Sequence, residues 1–191
     1  IYPTDKIVGE DFWKTKGDVD QMIDGCYKSM IADGVQTRAI IWGAYRSDEL
    51  VKRDDYNNTT LDNIDALNLL PTMDYCSWAD FYKVINNCNI VLNHAAEVVE
   101  LDPEFTQGDY EVTRAQMLAL RSLCYFYLVR AFRDVPLNEI AYEEDSKVTA
   151  IAQSAPAVVL QKCLDDLTEA RKYIMKSGNY GRGDWRNWGY I

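Results

Sequence analysis

The chain has 191 residues, 48% of them hydrophobic and 26% charged, enough for one domain with a sizeable core and too apolar for disorder. Thirty acidic against 20 basic residues leave a net charge of −10, which repels phosphate backbones and argues against nucleic acid as a partner. No apolar run reaches the ~18 residues of a membrane span, and the five cysteines include no C-x-x-C pair, against zinc-ribbon or thioredoxin-type chemistry.

A first helix is predicted after Thr15. Thr15 and Asp18 make a capping box with Asp in place of Glu, and Val19, Met22, Ile23, Cys26, Tyr27 and Met30 form its stripe. Asp33 and Gly34 suit its exit. Residues 35–50 hold an apolar patch (Ile40, Ile41, Trp42) ahead of Ser47, Asp48 and Glu49. Residues 52–76, rich in Asp, Asn and Thr, read as a long surface excursion.

A second helix runs from Trp78 to about Leu101, stopped by Asp102 and Pro103, and at 1.5 Å per residue spans roughly 35 Å. Trp78, Phe81, Tyr82, Ile85, Cys88, Asn89, Leu92, Ala95, Ala96 and Val99 fall at steps of three and four. The amide of Asn89 inside that stripe must find hydrogen-bond partners. A third helix is predicted from near Thr113 to before Pro136, apolar nearly all round from Met117 to Phe132, and Arg121 within it needs an acidic or carbonyl partner. After an acidic connection over 137–153, a fourth begins at Ser154 with Pro156 in its first turn. Leu160, Cys163, Leu164, Leu167, Ala170 and Ile174 are its stripe, and Gly178 its left-handed cap. No strand pattern is convincing, so the chain reads as all-α. Cys26, Cys88, Cys124 and Cys163 lie in apolar helical patterns, where cysteine acts as a small hydrophobe.

The chemistry-bearing residues are few. The single histidine, His94, has no nucleophile context and reads as structural or exposed. Carboxylates cluster at Asp54-Asp55, Asp62, Asp65, Glu143-Glu144-Asp145 and Asp165-Asp166 without the separation across a cleft that a glycosidase requires, and read as solvated surface. The stretch from Asp54 to Asp65 lacks EF-hand spacing, so no metal is assigned, and no cofactor is implied. Arg182-Gly183-Asp184 is a tripeptide of little weight. For ligand contact the candidates are Trp42, Tyr56, Asn57, Asn58 and Tyr75, which offer rings for stacking on a sugar and amides for its hydroxyls. The competing reading makes Trp42 a core residue and the excursion plain solvated chain.

Long helices joined by about a dozen residues resemble the stacked pairs of tetratricopeptide (TPR) repeats, which serve as scaffolds and docking surfaces. Four segments then resemble the SusD/RagB family of outer-membrane nutrient-binding lipoproteins: Asp11-Phe12-Trp13 with Thr15 and Gly25-Cys26-Tyr27; Ser47-Asp48-Glu49; Trp78, Tyr82, Ile85 and Asn89; and Leu120-Arg121 through Val129 with Asp134-Val135-Pro136-Leu137. Asp166, Leu167 and Ala170 also fit. Arg133 stands where the family usually has Gly, and Gln116 where an acidic residue is common. The likeness spans roughly residues 11–182 and only the N-terminal part of the family's length, and residues 183–191 depart from it. The expectation is a single N-terminal SusD-like helical domain over 1–191, truncated relative to the family, with TPR-like stacked helix pairs in an α-α superhelix and long surface loops.

The resemblance implies a non-catalytic protein that binds glycans or other nutrients and partners a TonB-dependent, SusC-like transporter. It implies surface exposure at the outer membrane through a lipid anchor on a cysteine upstream of this domain, since Cys26 is too deep in a helix to serve. A helical-repeat adaptor that binds protein and no carbohydrate is the alternative.

Overall fold

The structure, a computed structural model, describes residues 12–47, 49–143 and 150–173. Thr15 caps the first helix, α1 (Lys16–Met30), through the expected box: the Asp18 amide donates to Thr15 Oγ1 at 3.3 Å and the Thr15 amide to Asp18 Oδ2 at 2.8 Å. Asp33 and Gly34 do not end a helix. They open α2 (Asp33–Ile40), which passes into a π-helical turn, Ile41–Tyr45, where an irregular stretch was expected. Gly34 lies in a close approach: a Cβ there would lie 2.3 Å from Asp80 Oδ2, so a larger residue displaces that carboxylate. The polar excursion also contains a helix, α3 (Thr59–Asp65), and a 3₁₀ turn, Asp74–Cys76.

The two long helices form the body. α4 (Ala79–Leu101) matches the predicted span. α5 (Gln107–Phe132) starts well before Thr113, because Thr106 and Asp109 build a second capping box. Val135–Pro136 (β1) pairs antiparallel with Gln153–Ser154 (β2), which ties the acidic connection at its base. Pro156 then takes the first position of α6 (Pro156–Ala170). Ile174, Gly178 and residues 182–191 lie outside the described residues, as do Asp48, Glu144 and Asp145.

α4 packs against both α1 and α5, and α6 packs against α5. The fold is therefore all-α with stacked antiparallel pairs of the TPR type. Packed against two helices, α4 buries a wider arc than a single stripe: Val84, Val91 and Val98 are buried beside Phe81, Ile85, Cys88 and Asn89, while Ala96 is exposed and Trp78 only half-buried. On α6 the buried face is Val159, Cys163, Asp166 and Ala170, rotated away from the predicted Leu164 and Leu167, which stand 59% and 38% exposed. Asp166 sets that rotation by reaching Arg121 on α5.

This pair anchors a buried polar network. Arg121 donates to Asp166 Oδ2 from Nε (3.1 Å) and Nη2 (2.5 Å) and to Asn89 Oδ1 from Nη1 (2.8 Å). The Asn89 amide donates in turn to the carbonyls of Asn138 and Ile140, each at 3.2 Å. The Tyr125 hydroxyl donates to the Asn138 carbonyl at 2.8 Å and accepts from its amide at 2.7 Å. Both demands read from the sequence, partners for the Asn89 amide and for Arg121, are met by the same constellation. Asn86 continues it by exchanging two bonds with the Tyr142 backbone, so the connection lies along α4.

Candidate functional site

The π-helical turn places Trp42 between the core and the surface. Its ring stacks on Phe81 (centroids 5.1 Å apart, 16° between planes) and meets the edge of Phe132 at 5.2 Å. Its Nε1–H donates to the Tyr75 carbonyl at 2.8 Å, which fixes the indole and ties the excursion to the helical body. Trp78, at the N-cap of α4, packs against Phe132 at 5.5 Å.

Trp42, Trp78 and Phe132 help to line a half-open cavity of about 540 Å³, together with Leu70, Met73 and Tyr75 of the excursion and Arg46. That volume is ordinary for a small-ligand pocket, and the lining is largely apolar. Arg46 is exposed and makes no ion pair among the described residues. The floor is hydrophobic and ring-rich, so the apolar face of a flat ligand fits it, while the guanidinium supplies hydrogen-bond donors at the rim.

Of the five residues predicted to contact ligand, the structure brings Trp42 and Tyr75 together here. Tyr56 is 54% exposed and lines a separate shallow hollow with Val51, Lys52, Arg53, Asp55 and Leu61. Each hollow takes one lining residue from α3, Ile64 for the first and Leu61 for the second, one turn apart. Asn58 caps α3, its Oδ1 accepting the Leu61 amide at 3.0 Å, and Asn57 beside it is exposed. Arg46, Trp78, Phe132 and the Leu69–Met73 stretch were not predicted as site residues. The only sequence signal for them was the aromatic density at the ends of α4 and α5.

The other candidates have structural partners. Asp62 pairs with Lys52, Asp55 with Arg53, and Asp65 accepts the Tyr45 hydroxyl at 2.7 Å. Desolvation and that carboxylate together push the Tyr45 phenol up to about 12. No group of three or more metal-ligating side chains gathers among the described residues. His94 stacks on Trp13 (5.0 Å, 16°) and its Nε2 lies 2.8 Å from Glu143 Oε1. Cys26, Cys88 and Cys124 are fully buried free thiols that serve as packing groups, and burial pushes Cys124 up to about 12.

Stacked helix pairs with an aromatic hollow beside a long excursion define a helical-repeat fold of the TPR type. The comparisons with known proteins sharpen this. Residues 5–179 match the family profile described as "Starch-binding associating with outer membrane", and the chain belongs to this SusD-like family. It is 29% identical over 180 residues to the SusD-like protein P38 of Formosa agariphila, covering 91% of this chain and 33% of that protein. The SusD-like protein P2 of the same organism is 23% identical over 181 residues, covering 90% and 34%. Among solved structures, a SusD superfamily protein of Bacteroides thetaiotaomicron superposes with a TM-score of 0.70 at 27% identity, over 84% of this chain and 35% of that one. A laminarin-binding SusD-like protein shares the fold at 24% identity with a TM-score of 0.67, over 82% and 34%. The chain thus spans about a third of the length of the relatives it matches. No helix among the described residues is long and apolar enough to cross a membrane.

Proposed function

We propose that this chain is the N-terminal helical part of a non-catalytic saccharide-capture protein of the outer membrane, lipid-anchored upstream and seated on a TonB-dependent transporter. The observation that carries the reading is the family match over 5–179 together with the ring-walled cavity at Trp42, Trp78 and Tyr75. One relative is named for binding laminarin, which makes a β-glucan a reasonable first ligand class to try. In this reading the sugar's apolar face lies in the cavity, Arg46 meets its hydroxyls, and Tyr56 with Asn57 extends the contact across α3.

Isothermal titration against laminarin and starch oligosaccharides tests it. Trp42→Ala, Tyr75→Ala and Tyr56→Ala are each expected to weaken binding about tenfold or more, as loss of a stacking or walling ring does. Trp42 also packs on the core, so its variant needs a matched melting curve. Unchanged affinity in all three removes the sugar from this site. The adaptor reading draws support from the exposed Leu123, Phe126, Leu164 and Leu167 on α5 and α6. It gains if no saccharide binds while the transporter still co-purifies.

A further inference from the structure

Between α1 and α4 lies a groove of about 510 Å³ lined by Met22, Gly25, Lys28, Ser29, Lys83 and Asn87. Gly25 sits mid-helix, where glycine costs about 1 kcal/mol against alanine. The fold does not ask for it: its φ is not positive, and an added Cβ would meet nothing within 4 Å. Its effect is to keep the groove open and the α1 backbone approachable.

The charges point the same way. Lys28 and Lys83, on opposite walls, are exposed and have no carboxylate partner among the described residues. Arg46, Arg130 and Arg171 also lack an ion pair among the described residues, but Lys28 and Lys83 line one groove together, so their charges act on the same space. Asp80, the one acid on the groove, is already held by Arg38 at 2.6 Å. The Asn87 amide donates to Ser29 Oγ at 3.1 Å, and Ser29 donates to the Gly25 carbonyl at 2.8 Å. The second N–H and the oxygen of Asn87 remain for a ligand. No aromatic ring lines the groove, so it offers no platform for a pyranose. Met22 and the bare helix at Gly25 instead suit an extended chain.

We infer that the α1–α4 groove docks an acidic peptide segment of a partner protein, its carboxylates on Lys28 and Lys83 and its backbone over Gly25 beside the Asn87 amide. This site is independent of the saccharide reading. The test follows backbone amide shifts of the full chain by NMR at low salt. The probe is a capped hexapeptide of alternating Glu and Ala, with the Lys counterpart and an oligogalacturonate as separate arms. The Glu peptide is expected to move the amides of Gly25, Ser29 and Asn87. Lys28→Glu and Lys83→Glu should each weaken it about tenfold, and Gly25→Leu should block it. Arg171→Glu, which reverses another exposed cation just past α6, should leave it unchanged. The inference is overturned by no shifts, by shifts elsewhere, by equal losses in Arg171→Glu, or by the uronate occupying the groove while the peptide does not.

Discussion

Gly25 and Gly34 both lie in helices, and their surroundings make opposite demands. At Gly25 an added methyl meets open space, so Gly25→Ala should gain the full helix preference, about 1 kcal/mol, and raise the melting temperature by about 2–4 °C. At Gly34 the methyl would displace the Asp80 carboxylate from Arg38, whose Nε is already buried without a partner. Gly34→Ala should therefore melt clearly below Gly25→Ala, and equal melting temperatures would show that Asp80 moves aside freely. Arg133 is the converse case. It closes α5 with φ at 68°, a conformation that costs a side chain about 1–3 kcal/mol and costs glycine little. Arg133→Gly, which relieves that backbone cost, should raise the urea midpoint by about 1 kcal/mol of stability. No gain there would mean that the strain is relieved elsewhere in the turn.

At the scale of the element, the helix starts carry a pH dependence. In the α5 capping box Asp109 accepts the Thr106 hydroxyl at 2.7 Å and its amide at 3.0 Å, and Lys16 lies 3.6 Å away. These bonds, the Thr106 hydroxyl first, hold the Asp109 carboxyl below the ordinary aspartate range. A carboxyl lowered on folding adds stability that is fully present above its unfolded value of about 4 and lost as pH falls through the lower folded value. Wild type should therefore exceed Asp109→Asn in urea midpoint at pH 6, with the gap closing below pH 4. A constant gap would assign the effect to packing.

The two boxes also show what the sequence discloses. Thr15 and Asp18 stand directly before an apolar stripe, so the start of α1 is legible. Thr106 and Asp109 precede a polar first turn, and periodicity alone therefore starts α5 near Thr113. The helix of 59–65 is hidden for a similar reason, since its one buried residue, Ile64, makes no stripe. In the candidate site Trp42 and Tyr75 could be named from chemistry. The cavity they share could not, because it depends on a π-turn and on the Trp42–Tyr75 hydrogen bond across 33 residues.

For the molecule as a whole, the decisive junction is Arg121. It joins α5 to Asp166 on α6 and to Asn89 on α4, and through Asn89 to the connection at 138–140. Arg121 and Asp166 are almost fully buried, with side chains 5% and 7% exposed, so each charge needs an ionic partner, and Asp166 has a second one in Lys162 at 3.3 Å. Asp166→Leu should cost about 3–5 kcal/mol, because the Arg121 charge then stays buried without an acid, and Arg121→Met should cost less, because Lys162 Nζ still lies 3.3 Å from Asp166 Oδ1. Arg121→Met also strips the acceptor Asn89 Oδ1 of its donor, whereas Asp166→Leu leaves the guanidinium with Asn89 alone. The double variant Arg121→Met/Asp166→Leu should be more stable than either single one, although it too leaves Asn89 underbonded. Hydrogen exchange should separate the two effects. Amides at Ile140 and Tyr142 should lose protection wherever Arg121 is gone, since Arg121 fixes the Asn89 amide, which holds this connection together with Asn86, Tyr125 and the Lys162–Glu139 pair. Losses that merely add in the double variant would mean that α4, α5 and α6 are held together by their apolar faces, with the charges as passengers.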